Sequence, residues 1–239
     1  MNNGYLLSVE NINASYYKRE VLFNLTLNVE KGETVAMVGP NGSGKSTLLK
    51  AIIGLLFPSQ GKIIFKGKDF SEFSTQKRVK EGMGYLIQGG EIFSNLTVIE
   101  NLRMGGIHLD KILVKERIED VFSTFPLLKN LQDRRGGLLS GGERQSLALG
   151  IVLMKKPDLL LLDEPTAGLS PGKTKEILEK ISSLSQKLKT TILLVEQNIK
   201  EALAISNRCY ILKSGKIVGE EKSSELLKDL SKLNKIFIY

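Results

Sequence analysis

Gly39-Pro40-Asn41-Gly42-Ser43-Gly44-Lys45-Ser46-Thr47 is the stretch on which the reading of this chain turns. It has the form G-x-x-x-x-G-K-[ST]. An apolar run, Thr34-Val35-Ala36-Met37-Val38, precedes it, and an apolar helical pattern (Leu48, Leu49, Ile52, Ile53) follows. Strand, glycine loop and helix in that order give the pattern a mechanism. The glycines let successive backbone N–H groups curl round a polyphosphate, and the helix start adds the positive end of its dipole. Lys45 is expected to reach the β- and γ-phosphates, and the Ser46 hydroxyl to sit on Mg²⁺. The competing reading, a glycine-rich turn that binds nothing, leaves the flanking strand and helix unexplained.

Working outward, the first third of the chain reads as β. Leu6 to Val9, the alternating Phe23, Leu25, Leu27 and Val29, and Lys62-Ile63-Ile64-Phe65 have the pattern of half-buried strands. Glycine-bearing turns (Lys31-Gly32-Glu33, Gln60-Gly61, Lys66-Gly67) separate them. Tyr16 and Tyr17 lie in a polar stretch upstream of the loop. Tyrosine offers a flat face on which a nucleotide base can stack, although a surface or strand tyrosine reads the same way. From about Glu91 to Lys156 the pattern turns helical. Thr97 and Glu100 form a capping-box signature, and Ile118, Val121, Phe122 and Phe125 recur at helical spacing before Pro126 closes that segment. No Gly/Ser- or Pro-rich linker sets this region apart, so it reads as a helical insertion in an α/β domain.

Leu139-Ser140-Gly141-Gly142-Glu143-Arg144-Gln145 is a second glycine-bearing helix start. Ser140 is a natural N-cap and Glu143 completes a capping box. Gly141 and Gly142 leave the first-turn N–H groups open to an anion. Pro157-Asp158-Leu159-Leu160-Leu161-Leu162-Asp163-Glu164 then reads as an apolar strand ending in two carboxylates. Such a pair is costly unless it acts at the strand tip. Asp163 suits a metal-holding role, and Glu164 is placed to orient or deprotonate an attacking water. A helix is expected from Pro171, with Ile177, Leu178, Ile181, Leu184 and Leu188 on one side. The strand Thr191–Val195 follows, ending in Glu196-Gln197-Asn198. Arg208–Lys213 and Lys216–Gly219 read as a hairpin about Ser214-Gly215. Strands alternating with helices predict a mostly parallel sheet with ligands at the C-terminal ends of its strands.

Composition narrows the classes. The 239 residues are 41% apolar, enough for a full core in one large α/β domain. Met1-Asn2-Asn3-Gly4 is polar and Tyr5-Leu6-Leu7 is too short for a signal segment. The longest apolar run, Leu159–Leu162, is strand-sized, so the protein is expected to be soluble or peripheral. One cysteine, Cys209, excludes an internal disulfide. The net charge of +8 is spread over Lys18-Arg19, Lys77-Arg78, Arg134-Arg135, Lys155-Lys156 and a lysine-rich tail, without interleaved aromatics. That pattern reads as solvated surface and predicts no nucleic-acid partner.

Three motifs in this order resemble the ATP-binding cassette (ABC) family over almost the whole chain. Gly39–Thr47 resembles its Walker A, Leu139–Gln145 its signature motif, and Leu159–Glu164 its Walker B with catalytic glutamate. Gln88, in Tyr85-Leu86-Ile87-Gln88, is similar to the family's Q-loop glutamine, which senses metal and attacking water. Tyr16 aligns with the aromatic that stacks on adenine. The resemblance implies a P-loop NTPase fold of the ABC ATPase type: a mostly parallel core sheet, an N-terminal antiparallel β part and an inserted helical lobe. It implies a single cassette over 1–239, with 1–87 and 157–239 as the nucleotide-binding α/β core and 88–156 as the helical signature lobe. ATP and Mg²⁺ are the implied ligands, with Ser46, Gln88 and Asp163 at the metal. It also implies a head-to-tail dimer in which Ser140, Gly141 and Gly142 of one cassette face ATP held by Walker A of the other.

Two positions depart from the family pattern. Its usual switch histidine is replaced by Gln197, which can hydrogen-bond a γ-phosphate but cannot carry a proton. Ser170 stands where aspartate is often found, and the one histidine, His108, lies in the helical region. Val-Glu-Gln-Asn at 195–198, Ala-Gly-Leu-Ser-Pro at 167–171 and the run Ile92–Val98 followed by Glu100-Asn101-Leu102 are similar to the ATP-binding subunit of branched-chain (hydrophobic) amino-acid importers. There the resemblance implies a second cassette subunit, two membrane permeases, an extracytoplasmic substrate-binding protein, and a place on the cytoplasmic face of the membrane. The segment Gln88–Asn101, with Ile92, Phe93 and Leu96, is expected either to grip a permease helix or to pack the helical lobe. Urea or amide importers, an exporter, a soluble cassette ATPase acting on nucleic acid or ribosomes, and a regulatory module without turnover are the alternative readings.

Overall fold

The computed structural model describes residues 4–231, the side chains of 187 and 188 aside. Met1-Asn2-Asn3, the end of the lysine-rich tail and the Leu188 side chain therefore lie outside the described residues. The antiparallel sheet is built from β1 (Tyr5–Tyr16), β2 (Arg19–Glu30), β4 (Gln60–Phe65) and β5 (Lys68–Asp69), in the order β2-β1-β4-β5. The second sheet contains β3 (Thr34–Val38), β6 (Met83–Leu86), β7 (Leu159–Asp163), β8 (Thr191–Val195), β9 (Arg208–Lys213) and β10 (Lys216–Lys222), in the order β10-β9-β3-β8-β7-β6. Its pairs are parallel except for the β9–β10 hairpin at the edge. The expected mostly parallel core sheet and antiparallel N-terminal part are both present.

β3, β7 and β8 are buried along their whole length, and the pleat divides their side chains between two cores. Val35, Met37, Leu159, Leu161, Leu193 and Val195 face the antiparallel sheet and α1 (Lys45–Ile53). Ala36, Val38, Leu160, Leu162, Ile192 and Leu194 face the helices of the other side. A strand covered on both faces must be apolar throughout, and for that reason it reads as a leucine run. Each such Val, Leu, Ile or Met side chain contributes about 2 kcal/mol on full burial.

Thr75–Lys80 forms α2 between the sheets. Four helices then fall between β6 and β7: α3 (Val98–Gly105), α4 (Lys111–Thr124), α5 (Pro126–Asn130) and α6 (Gly141–Leu153). α3 begins with the expected capping box, Thr97 N donating to Glu100 Oε2 at 2.8 Å and Glu100 N to Thr97 Oγ1 at 3.3 Å. Pro126 ends α4 as expected but also opens α5, since its missing N–H is no loss in a first turn. α7 (Pro171–Leu188) buries Ile177, Leu178, Ile181 and Leu184, and α8 (Ile199–Ile205) and α9 (Ser223–Leu226) are the last helices among the described residues.

Two differences from the sequence reading have physical causes. β1 does not stop at Val9. A register shift around Asn11, which has φ 50°, lets the strand resume with Ile12 and Ala14 buried and carries it to Tyr16. Arg78 is no solvated surface charge either, for it is fully buried. Its guanidinium donates to the carbonyls of Ala51 and Ile52 at the end of α1 and to those of Phe73 and Ser71, at 2.7 to 2.9 Å. Burial lowers its pKa to about 10, still far above neutrality, so the charge is kept.

Candidate functional site

The phosphate loop joins the C-terminal end of β3 to α1. Gly42 and Gly44 have φ of 77° and 108°, values L side chains avoid, and Gly44 is the N-cap of α1. A Cβ built on Gly42 would meet nothing within 4 Å, so that part of the loop faces open space. At Gly39 a Cβ would strike Leu212 O at 2.1 Å, so only glycine lets β9 come so close. The β9–β10 turn braces the loop from outside, Gly215 N donating to Ser43 O at 2.8 Å and Gly215 O accepting from Phe23 N at 3.0 Å.

β3, β8 and β7 are neighbours, so the segments leaving their C-terminal ends converge. Asp163 ends β7, with its Oδ1 accepting from Ser46 Oγ at 2.8 Å. Its Oδ2 accepts from Tyr85 Oη, on β6, at 3.2 Å. Glu164, next in the chain, has φ 49°, a left-handed backbone worth about 1–2 kcal/mol of strain. That turn carries its carboxylate over the strand ends. Gln88 Nε2, after β6, and Gln197 Nε2, after β8, each donate to Glu164 Oε2 at 2.7 Å. Lys45 Nζ donates to Gly39 O at 2.8 Å and Pro40 O at 3.0 Å.

One cavity of about 770 Å³ takes in Tyr16, Asn41, Gly42, Gly44, Lys45, Ser46, Thr47, Gln88, Glu164 and Gln197. Asp163 stands one hydrogen bond behind it, through Ser46, and Gly39, Pro40 and Ser43 of the loop are not in its lining. Tyr16, at the end of β1, is 39% exposed, enough to present a ring face. Ser140, Gly141 and Gly142 are not in this cavity's lining but at the start of α6, where Ser140 N donates to Glu143 Oε2 at 2.7 Å. The sequence reading missed the opposite wall, made by Arg19, Glu20, Val21 and Phe23 of β2 with Ser214 and Gly215. It missed Tyr85 as well. The Ser214-Gly215 turn was visible in the sequence, but nothing there pointed it at the loop.

The electrostatics fit a polyphosphate and a hard cation. Burial lowers the Lys45 ammonium below its ordinary value, against the pull of Glu164 and Asp163. Burial raises the Asp163 carboxyl, against hydrogen bonds from Ser46 and Tyr85. A phosphate at Lys45 and a divalent cation at Asp163 each favour the charged form that burial penalises. Among the described residues the buried Ser43 hydroxyl has no hydrogen-bond partner, a donor left available in the loop. A hydroxyl and a carboxylate oxygen, at Ser46 and Asp163, are the donor types Mg²⁺ takes alongside substrate phosphates.

Loop, carboxylates and parallel strand ends together define a nucleoside-triphosphate site on a P-loop core. Residues 22–167 match the family model described as ABC transporter, and the chain belongs to that family. It is 43% identical to the probable branched-chain amino acid transport ATP-binding protein LivF of Archaeoglobus fulgidus, over 93% of this chain and 94% of that one. It is 39% identical to the high-affinity branched-chain amino acid transport ATP-binding protein BraG of Pseudomonas aeruginosa, over 93% and 95%. The lipopolysaccharide export system ATP-binding protein LptB of Haemophilus influenzae is 34% identical over 94% and 93%. Among solved structures, a nucleotide-free ATP-binding cassette from an ABC transporter superposes with a TM-score of 0.88 at 27% identity, covering 98% of both chains. The dimeric cassette MJ0796 bound to ADP and phosphate superposes at 0.82 and 25% identity, covering 91% of this chain and 98% of that one. This chain is thus an ATP-binding, ATP-hydrolysing subunit of a transporter. Among the described residues no helix is long and apolar enough to cross a membrane.

Proposed function

We propose that this chain energises the import of branched-chain or other hydrophobic amino acids, as the Gln197 contact to Glu164 carries most directly. That glutamine belongs to the Val195-Glu196-Gln197-Asn198 segment read as the mark of such importers. Likeness to LivF and BraG along nearly the whole chain supports the reading. In it Glu164 is the base that takes a proton from the attacking water, while Gln88 and Gln197 hold that carboxylate in place. Lys45, Asn41, Thr47 and the loop N–H groups hold the phosphates, and Tyr16 stacks on the base. Ser46, Asp163 and Gln88 would hold Mg²⁺, which would supply charge neutralisation across the phosphates.

In this reading residues 88–156 form the lobe that carries Ser140, Gly141 and Gly142 to ATP bound by a second cassette. Support comes from their absence from this chain's own phosphate cavity and from the dimeric structure of MJ0796. In the same reading the cassettes sit on the cytoplasmic face of the membrane against two permeases, with an extracytoplasmic binding protein on the far side. Phe93 stays half exposed at the edge of that lobe while Ile92 packs into the core, so Phe93 is the residue offered to a permease. Affinity purification from gently solubilised membranes, followed by uptake of labelled leucine in cells lacking the gene, tests the proposal. Two permeases, a second cassette and lost leucine uptake are expected. Co-purification with a lipopolysaccharide-export assembly would favour the likeness to LptB, and ribosomes or nucleic acid would sink the transport reading.

A further inference from the structure

Glu196 is the last residue before Gln197, only 2% exposed, and its carboxylate meets neutral donors rather than a cation. Its Oε1 accepts from Thr166 N at 3.0 Å and from Thr166 Oγ1 at 2.7 Å. Its Oε2 accepts from Gln197 N at 3.1 Å, and the Asn198 backbone also donates to the carboxylate. A buried carboxylate held this way costs stability compared with an apolar side chain, so its presence asks for another reason.

Its position supplies one. The ladder between β7 and β8 ends at the pair Asp163 and Val195. Beyond it the two segments stay joined by three contacts: Glu164 N to Val195 O at 2.8 Å, Thr166 to Glu196, and Gln197 Nε2 to Glu164 Oε2 at 2.7 Å. Glu196 is the middle contact, a side chain doing what backbone pairing did one residue earlier. Thr166 opens the loop running to α7, and Leu169 of that loop lies against Gly141, where a built Cβ would sit 3.5 Å from Leu169 Cδ2.

We propose that Glu196 is a positioning residue for ATP hydrolysis, gripping Thr166 and the Gln197 N–H so that the Gln197 amide meets the carboxylate of Glu164. The proposal rests on Gln197 acting through Glu164. Glu196→Gln keeps the volume and leaves one oxygen for Thr166, but turns an NH₂ toward the Gln197 N–H. With the purified full chain, kcat is expected to fall about tenfold, with KM and the Kd for ATP changed by less than about twofold. Thr166→Val, which removes only the hydroxyl donor, should lower kcat about threefold in the same pattern and serves if Glu196→Gln folds poorly.

The deciding measurement is the double-variant cycle. On a Gln197→Ala background, Glu196→Gln should lower kcat by less than about twofold further, because the contact it orients is already gone. A full, additive loss there, or a fall in kcat matched by weaker ATP binding, would mean that Glu196 only supports the fold. An unchanged kcat for Glu196→Gln, with Gln197→Ala impaired, overturns the clamp and spares the reading of Gln197. An unchanged kcat for Gln197→Ala overturns both.

Discussion

The Gln197 side-chain amide donates to Glu164 Oε2 at 2.7 Å, and it lies just past β8, the neighbour of the strand β7 that Glu164 follows. Gln88 donates to the same oxygen at the same distance, from the far side of β7. With Oε2 occupied twice, Oε1 has no hydrogen-bond partner among the described residues and is the oxygen left to accept from a water. A histidine in place of Gln197 would gain and lose a proton near neutral pH, whereas the amide does neither. In the proposed reading Gln197 therefore has an orienting task.

Glu164→Gln is expected to lower the rate of phosphate release at least about 100-fold, the usual scale for removing a positioned base. ATP binding should survive, because the glutamine side chain keeps the shape and the phosphate loop is untouched. Phosphate release and equilibrium binding of a fluorescent ATP analogue measure the two separately. Parental turnover by this variant would remove Glu164 from the role of base.

Lys45→Ala should separate binding from stability. Lys45 is 5% exposed and burial lowers its pKa, so its charge is held at some expense to the fold. Removing it deletes a charge-assisted contact to phosphate, and the affinity for ATP should drop at least about tenfold. The melting temperature without nucleotide should change little. A large drop in melting temperature would show that the bonds to Gly39 and Pro40 hold the loop together.

Arg78→Lys should be more damaging than its conservative look suggests. A lysine cannot present the planar fork that meets the carbonyls of Ala51, Ile52, Phe73 and Ser71, and it leaves several buried acceptors unpaired. A loss of about 2–4 kcal/mol is expected in urea denaturation. A loss under about 1 kcal/mol would mean that α1 does not depend on this cap.

Arg78 also marks the boundary of what the sequence could tell. β3, β7, β8 and the phosphate loop were legible, because a doubly covered strand must be apolar over its length and a glycine loop must sit between strand and helix. Asp163 and Glu164 were legible because two acids at the tip of such a strand have no packing reason to be there. Arg78 was not, because Lys77-Arg78 looks the same whether its partners are water or the carbonyls of a helix far back in the chain. Tyr85 and Glu196 were hidden for a related reason. Each meets its partner only after parallel strands distant in sequence have come together. The wall formed by Val21, Phe23 and Gly215 needs both sheets in place before it exists.

Glu33→Gln tests a second pairing that only the fold creates. Arg208 Nε and one terminal nitrogen donate to the two oxygens of Glu33 at 2.7 and 3.0 Å, and the side chains are 17% and 12% exposed. Burial is the largest single influence and works against the Arg208 charge, but Glu33 and Tyr210 together raise the guanidinium above its usual value. Taking the carboxylate away leaves a mostly buried cation with Glu220, Asn28 O and the Tyr210 ring as partners among the described residues. A loss of about 2–3 kcal/mol is expected in chemical denaturation. ATP affinity should hold, since neither residue lines the phosphate cavity.

Two glycines of the same loop should fail in opposite ways. At Gly39 a Cβ would lie 2.1 Å from Leu212 O, a clash with backbone that no rotamer relieves. Gly39→Ala should therefore destabilise the fold by more than about 2 kcal/mol, whether or not ATP is present. At Gly42 a Cβ meets no protein atom within 4 Å, and the cost to the fold is the left-handed backbone alone, about 1 kcal/mol. That Cβ would occupy the space given to phosphate, so Gly42→Ala should melt close to the parent yet lose most of its affinity for ATP. Equal ATP affinity in Gly42→Ala and the parent would show that the phosphates lie elsewhere in the cavity. A stable Gly39→Ala would show that β9 can move away from the loop without harm.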